Sequence, residues 1–270
     1  MPHDPGADFR ALHKPGDPFI LANAWDAGSA RMLAGLGARA IATSSAAHAF
    51  TLGRHDGGTI SRDEALAHAA DLVAAVAVPV SGDFENGYGD DPETCAETVR
   101  LAAEAGLAGI SIEDEDFAAN AAYDHDLAVE RIRAAASAAR SLAGDFVLCA
   151  RADGVLNGHY GMEEALRRVR AFDAAGADCL YVPLPPGMQS LKNVVRATDK
   201  PVNALAAGPF TRFTRADFAA AGIARISLGS ALARVTQKVI HDAGQMMFGP
   251  GDFTILGMGL PGAEVDKLLG

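Results

Sequence analysis

The segment AEAGLAGISIEDE at Ala103–Glu115 is the strongest indication of the fold, because its pattern occurs four times in the chain. In each copy an alanine-rich helical segment ends at a glycine, and a short apolar run follows. Glycine after a helix adopts the left-handed conformation without a Cβ clash, and an apolar run this short suits a strand buried on both faces. The same helix-to-strand junction recurs at three other places: Leu33–Ser45, Asp173–Pro183 and Ala219–Ser230.

Four further apolar segments bring the number of predicted strands to eight: Phe19–Ala24, Val78–Gly82, Phe146–Arg151 and Pro201–Leu205. Each predicted strand is followed by a helical or loop segment, which is typical of an α/β fold of the (β/α)8 TIM barrel type. A doubly wound sheet would carry a glycine-rich fingerprint after its first strand, and Asn23–Ser29 contains a single glycine. The sequence therefore predicts a TIM barrel with a C-terminal helical extension.

The chain is predicted to form one barrel domain over residues 1–270, because no linker or change in composition divides it. Residues 236–270 follow the last predicted β/α unit and form the C-terminal extension. This extension carries surplus apolar side chains, which include Ile255, Leu256, Met258 and Leu260. We therefore expect the extension to pack on a neighbouring subunit.

Composition and charge exclude several classes of protein. Hydrophobic residues make up 49% of the chain and charged residues 21%, while the formal net charge is −11. An acidic protein is a poor partner for nucleic acid or for an anionic membrane, and no apolar run is long enough to span a bilayer. The first sixteen residues lack the apolar core of a signal peptide, and the three cysteines show no C-x-x-C spacing. We expect a cytoplasmic protein.

Acidic residues concentrate where the predicted strands end, which is where TIM barrels carry their active sites. Asp83 and Glu85 follow the third strand, and Glu113 closes the fourth. Carboxylates that converge without a Cys or His cluster favour Mg²⁺ or Mn²⁺ over zinc. Arg151 ends the fifth strand and is suited to binding a substrate carboxylate or phosphonate through its guanidinium group. The pattern predicts a metal site with an anionic ligand beside it.

At these segments the chain resembles the isocitrate lyase / phosphoenolpyruvate mutase superfamily. The residues that carry the resemblance lie at Asn23–Ala30, Asp83–Gly89, Ser111–Asp114 and Ala150–Asp153. The resemblance implies a Mg²⁺-dependent barrel that assembles as a homo-oligomer, a dimer of dimers. It also implies a reaction in which a 2-oxo acid chelates the metal and an enolate forms.

The resemblance also implies a role for particular residues of this chain. Asp83 is similar to the direct metal ligand, while Glu85 and Glu113 are similar to ligands that act largely through metal-bound water. Asp56 matches the family acid near the metal, and Arg151 matches the arginine that binds the substrate. The segment that binds the substrate carboxylate or phosphonyl group corresponds to Ser44, Ser45 and Ala46.

The loop after the fourth strand departs from the family pattern. Members that cleave isocitrate or methylisocitrate carry a Lys-Lys/Arg-Cys-Gly-His loop there, whereas residues 115–126 of this chain contain neither Cys nor Lys. Asn120 is the candidate for a catalytic residue of this gate, and Tyr123 or His125 is an alternative acid. His159, on the loop after the fifth strand, is a further candidate for substrate binding. The departure argues against both lyase activities.

The sequence therefore favours a Mg²⁺-dependent lyase that cleaves a C–C bond of a small 2-hydroxy or 2-oxo di- or tricarboxylic acid through an enolate. Two alternatives stay open. One is P–C bond chemistry on phosphonopyruvate, as a mutase or a hydrolase. The other is a barrel that binds a metabolite but has lost turnover, because its gate loop lacks the acid.

Overall fold

A computed structural model describes residues 4–270 and contains ten strands, eight of which close into a parallel barrel. The strands are β1 (Phe19–Asn23), β2 (Ile41–Ala42), β3 (Val80–Asp83), β4 (Gly109–Glu113), β5 (Glu115–Asp116), β6 (Ala121–Ala122), β7 (Val147–Arg151), β8 (Cys179–Tyr181), β9 (Val202–Leu205) and β10 (Arg225–Ser227). Strands β5 and β6 form a separate antiparallel hairpin, and β10 closes the barrel against β1. The predicted TIM barrel is confirmed.

Helices surround the barrel, and the four predicted junctions have the expected backbone. Gly37, Gly106, Gly176 and Gly222 have φ values of 101°, 86°, 106° and 84°, in the left-handed region. Among residues 4–270, none of the helices combines the length and the apolar character that crossing a bilayer requires. The helices are α1 (Pro5–Leu12), α2 (Ala27–Gly35), α3 (Ser45–Thr51), α4 (Arg62–Ala75), α5 (Pro92–Glu104), α6 (His125–Ser141), α7 (Gly154–Asn157), α8 (Met162–Ala175), α9 (Gly187–Arg196), α10 (Arg215–Ala220), α11 (Ala231–Phe248) and α12 (Gly262–Leu269).

Helix α1 packs against the amino-terminal end of the barrel. Its Phe9 side chain is completely buried and contacts the ring of Phe19 edge-on, with the ring centroids 6.0 Å apart. The helix approaches the barrel so closely at Gly6 that a Cβ atom there would lie 1.6 Å from the carbonyl oxygen of Asp145. Only glycine fits at this position, and the packing makes α1 part of the barrel domain.

Behind α1, polar side chains form the floor of the barrel around the buried residue Arg225. The Arg225 guanidinium donates to Oδ1 of Asn203 at 2.8 Å and to Sγ of Cys149 at 2.9 Å. His13 lies beside it, with Nδ1 2.9 Å from the carbonyl oxygen of Phe9 and Nε2 3.5 Å from the guanidinium. Because a carbonyl oxygen only accepts, Nδ1 carries a proton. Because the guanidinium only donates, the Nε2 that faces it carries none, and the ring is neutral. Burial and the charge of Arg225 lower the pKa of His13 to about 3.

We expect His13 to make the protein sensitive to mild acid. The unfolded chain takes up a proton on His13 near pH 6.5 and the folded chain only near pH 3, so stability is lost as the pH falls between these values. The titration of His13 therefore lowers the free energy of unfolding by about 1–2 kcal/mol at pH 5 relative to pH 7.5. Urea unfolding at the two pH values should show that the free energy of unfolding falls less between pH 7.5 and pH 5 for His13→Gln than for the unchanged protein. An equal loss in both proteins would contradict the assignment.

The C-terminal extension has one part packed on its own chain and one part exposed. Helix α12 lies against α2, and a Cβ atom at Gly35 would come within 2.9 Å of the carbonyl oxygen of Leu268. Helix α11 exposes apolar side chains, with Val235 59%, Ile240 71% and Phe248 89% exposed. The packing of residues 236–270 on a neighbouring subunit stays a prediction, and α12 already has a partner within its own chain.

Candidate active site

A cavity of about 400 Å³ opens at the carboxyl ends of the barrel strands. It contains every residue that the sequence assigns to metal binding, and all of the predicted substrate-binding and catalytic residues except His159. The lining consists of Ser44, Ser45, Ala46, Asp56, Gly57, Asp83, Glu85, Glu113, Glu115, Phe117, Asn120, Arg151, Asp153, Leu156, Asn157, Tyr181, Pro183, Leu205, Gly229 and Ser230. Residues from distant parts of the chain therefore meet in one cavity because their strands end at the same rim.

Asp83, the last residue of β3, is held in a fixed orientation. Its Oδ2 accepts hydrogen bonds from the backbone N–H of Ser45 at 3.0 Å and from the Ser45 hydroxyl at 2.9 Å. Its backbone N–H donates to Oγ1 of Thr43 at 2.7 Å. The same carboxylate accepts from Arg151 through Oδ1 at 2.9 Å. A carboxylate oriented in this way is suited to direct contact with a cation or a ligand.

Arg151 ends β7 and connects three carboxylates. Its guanidinium lies 2.9 Å from Asp83, 3.0 Å from Glu113 and 2.6 Å from Asp153. The ring of Tyr181 stacks near the guanidinium, with its centroid 5.1 Å from the central carbon. An arginine that pairs with a carboxylate two residues later can have a purely structural role, as an alternative to substrate binding. Arg151 combines the two features, because it pairs with Asp153 and also lines the cavity.

Glu113 and Glu85 are buried acids with strongly perturbed titration. Burial raises the pKa of Glu113 well above its usual value, although Arg151 acts in the opposite direction. Burial and the neighbouring charge of Asp83 raise the pKa of Glu85 to about 7. Glu85 also has a positive φ of 45°. Its side chain points to the loop of Gly58 and accepts a hydrogen bond from the backbone N–H of Gly58 at 3.2 Å. Strained and crowded acids of this kind cluster at functional sites.

Asp56 comes to this group from the loop before α4, which sequence spacing alone does not show. It lines the cavity, and burial together with the charge of Asp83 raises its pKa. The role of Asp56 as the acid near the metal stays a prediction. Its contact with the site depends on a loop that contains Gly57 and Gly58, both at positive φ.

The donor set fits a hard divalent cation that is held mostly through water. Within residues 4–270, no three His, Cys, Asp or Glu side chains converge closely enough to be the direct ligands of one ion. Mg²⁺ commonly keeps several waters and binds through one or two carboxylates, so it requires no such convergence. Asp83 is the carboxylate best placed for direct contact, while Glu85 and Glu113 line the same cavity. An added positive charge would also offset the repulsion among these acids.

The predicted substrate-binding residues lie at two places. Ser44 caps α3 by accepting the N–H of Ala47 at 3.3 Å, and Ser44, Ser45 and Ala46 line the cavity wall. His159 does not line the cavity, because its ring lies behind Glu115, with Nε2 2.8 Å from the carboxylate. A direct contact of His159 with substrate stays a prediction, and the structure shows its ring in contact with Glu115, which lines the cavity.

The gate loop folds as the β5–β6 hairpin. It brings the predicted residue Asn120 and its neighbour Phe117 into the cavity. Asn120, at a φ of 49°, lines the cavity together with Phe117. The ring of Phe117 lies close to Gly57 and Gly58, so the hairpin contacts the loop of Asp56. The alternative acids lie outside the lining. Tyr123 is buried and donates to Asp90 at 2.6 Å, and His125 contacts Asp126 at 3.1 Å.

Glu115 is a residue of the cavity that the sequence motifs do not identify. Its buried carboxylate lines the cavity and accepts hydrogen bonds from Asn157 at 3.0 Å and from His159 at 2.8 Å. In the sequence, Glu115 is only the third acid of the run Glu113–Glu115 at the end of β4. Its orientation depends on residues that lie more than forty positions later in the chain, so no local pattern identifies it.

A buried ion pair between Asp114 and Arg168 contacts the residues that position Arg151. Asp114 accepts from Arg168 at 2.9 Å, from the Tyr160 hydroxyl at 2.6 Å and from the backbone N–H of Asp153 at 2.8 Å. Because Asp153 in turn binds Arg151, the orientation of the arginine in the cavity depends on Asp114 and Arg168.

Fold and site together define a TIM-barrel protein with an acidic cavity where barrel enzymes carry their active sites. The family model for phosphoenolpyruvate phosphomutase matches residues 9–248. The chain therefore belongs to this family, within the isocitrate lyase / phosphoenolpyruvate mutase superfamily, as the sequence motifs predict. The superfamily includes lyases and mutases, and its members are generally Mg²⁺-dependent.

Individual relatives agree with the family assignment. An uncharacterized protein of Mycobacterium tuberculosis is 35% identical over 223 residues, which cover 82% of this chain and 81% of the relative. The 2,3-dimethylmalate lyase of Eubacterium barkeri is 30% identical over 196 residues, which cover 70% and 66% of the two chains. A crystal structure of a candidate lyase or mutase from Burkholderia cenocepacia superposes with a TM-score of 0.93. It is 43% identical, and the match covers 97% of this chain and 94% of that chain.

Proposed function

We propose that the protein is a Mg²⁺-dependent lyase that cleaves a C–C bond of a small 2-oxo or 2-hydroxy acid through an enolate. The observation that carries this proposal is the meeting of Asp83, Glu85, Glu113 and Arg151 in one cavity at the barrel rim. The similarity to 2,3-dimethylmalate lyase favours C–C cleavage over P–C chemistry.

Each residue has a role that follows from its position. Asp83 would hold the cation directly, and Glu85, Glu113 and Asp56 would hold it through water. A bound Mg²⁺ supplies a Lewis acid for the carboxylate and oxo oxygens of the substrate. Arg151 and the Ser44–Ala46 segment bind the substrate carboxylate, and Asn120 of the hairpin donates to the reacting end. Negative charge that develops on the substrate then meets positive charge and hydrogen-bond donors.

Oxalate, a mimic of the enolate of pyruvate, tests this proposal directly. Calorimetry should show oxalate binding that requires Mg²⁺, and a panel of 2-oxo and 2-hydroxy acids should contain one that releases pyruvate or a close relative. Release of phosphate or formation of a phosphoryl product from phosphonopyruvate would favour the alternative P–C chemistry. Oxalate binding without turnover of any acid would favour the metabolite-binding alternative, and absence of Mg²⁺-dependent binding would overturn the proposal.

Isocitrate is expected not to be cleaved to glyoxylate at a measurable rate. The gate hairpin presents Phe117 and Asn120 to the cavity, and the three cysteines, Cys95, Cys149 and Cys179, are buried elsewhere. The cavity therefore has no thiol to act as the acid. Glyoxylate can be followed as its phenylhydrazone, with protein that binds Mg²⁺ and oxalate as the control for an intact site. Glyoxylate above the background would contradict the assignment of the gate.

We also propose that the exposed apolar face of α11 packs against a second copy of the chain. Val235, Val239 and Ile240 lie on this face, and each is more than half exposed. Burial of such side chains is a main source of subunit association. Light scattering after size exclusion should show a homo-oligomer, and Ile240→Glu should shift it toward the monomer. A monomeric unchanged protein would overturn this proposal.

A further inference from the structure

The charges that line the cavity constrain the choice of ligand more than the size of the cavity does. The lining contains six carboxylates, namely Asp56, Asp83, Glu85, Glu113, Glu115 and Asp153, and a single cationic side chain, Arg151. No lysine and no second arginine lies among the lining residues that the structure describes. Even a divalent cation added to Arg151 leaves the acids in excess. The cavity therefore has few positive groups to offer to an anionic ligand.

The one cationic side chain is already surrounded by acids. Arg151 lies within 3.0 Å of Asp83, Glu113 and Asp153, so it and the metal together suit one substrate carboxylate. The turn before α11 offers no further donors from Leu228 and Gly229, because the N–H groups of both residues donate to Oδ1 of Asn23. A second carboxylate of the substrate would lack a counter-charge.

The gate side of the cavity is suited to an uncharged group. Glu115 presents its carboxylate there, held by Asn157 and His159. The lining residues of the hairpin and of α7 are otherwise neutral, namely Phe117, Asn120, Leu156 and Asn157, and Pro183 and Leu205 add apolar side chains elsewhere in the lining. A carboxylate or phosphonate placed beside Glu115 would experience like-charge repulsion in a partly buried environment, where it is weakly screened.

We infer that the substrate is a 2-oxo or 2-hydroxy monocarboxylate whose distal part, beyond the bond that breaks, is uncharged. The inference rests on the proposed function and narrows the class of substrate. It replaces the di- or tricarboxylate that the sequence favours. The single carboxylate of the substrate binds at the metal and Arg151, and the distal part of the substrate lies against Phe117 and Leu156. Glu115 excludes acids with a second anionic group.

Matched ligands of equal chain length test the inference. Calorimetry in the presence of Mg²⁺ compares 2-oxopentanoate with 2-oxoglutarate, which differs by a distal carboxylate. We expect 2-oxopentanoate to bind at least about 10-fold more tightly, which corresponds to about 1.4 kcal/mol. Equal binding, a preference for 2-oxoglutarate, or failure of 2-oxopentanoate to bind would overturn the inference. Oxalate is measured in parallel, and loss of its Mg²⁺-dependent binding would instead overturn the proposed function and with it the inference.

Two variants test the role of charge at the gate. Glu115→Gln keeps the size of the side chain and removes its charge, and Leu156→Lys adds a cation to the lining. Each should reduce the preference for 2-oxopentanoate over 2-oxoglutarate by about 5-fold or more. Glu163→Gln, at an exposed position on α8, removes one negative charge outside the cavity and should leave the preference unchanged. An unchanged preference in both cavity variants, or an equal reduction in Glu163→Gln, would contradict the role of Glu115.

Discussion

The Asp83→Ala variant is expected to lose Mg²⁺-dependent oxalate binding and to reduce turnover by about 1000-fold or more, which corresponds to about 4 kcal/mol. Asp83 is the one acid whose orientation is fixed by Ser45, Thr43 and Arg151 together. Its removal takes away the direct ligand and leaves Glu85 and Glu113, which hold a cation less directly. Calorimetry with Mg²⁺ and oxalate measures the binding loss.

The fold should survive this substitution, because Arg151 keeps Glu113 and Asp153 as partners. Removal of one charge from a crowded set of acids also relieves repulsion. Asp199→Ala, at an exposed position before β9, serves as the matched control and should behave as the unchanged protein. Undiminished oxalate binding by a folded Asp83→Ala protein would show that the metal is held elsewhere.

The Arg168→Met variant should have the largest effect on stability among the substitutions considered. Arg168 and Asp114 form an ion pair at 2.9 Å with side chains only 6% and 2% exposed. Burial raises the pKa of Asp114, and the arginine counters this effect. Removal of the arginine leaves a buried acid without its counter-charge, which costs roughly 3 kcal/mol of unfolding free energy. Urea denaturation at pH 7 measures the loss.

The neighbouring arginine provides a close control on the same helix. Arg167 is 58% exposed and pairs with Glu164, so Arg167→Met should cost less than about 1 kcal/mol. Arg168→Met should also weaken oxalate binding, because Asp114 orients Asp153 and thereby Arg151. Similar losses of stability in the two variants would contradict the importance of the buried pair.

The barrel and the acidic rim could be predicted because both depend on local patterns. The glycines at the junctions mark where helices end, and the apolar runs after them mark strands, whatever the rest of the chain does. Once eight strands are placed in a barrel, their carboxyl ends form one rim. The position of Asp83, Glu113 and Arg151 in a common cavity then follows from the topology alone.

The remainder of the site depends on contacts between distant segments. Glu115 acquires its place from Asn157 and His159, and Phe117 is placed by the glycines near Asp56. The hairpin that carries these residues has strands of two residues each, too short for a periodic pattern. His159 was predicted to contact substrate because it follows a strand. Its spacing does not show that its ring turns toward another side chain.

The packing of helix α1 also bears on where the folding unit begins. A truncation chosen from the barrel pattern alone would start near Phe19, since the first strand begins there. Such a chain would lack Phe9 and His13, so water would reach the guanidinium and thiol groups that line the bottom of the barrel. The shortest version suited to crystallisation or to fusion with another protein therefore keeps the residues from Asp4 onward.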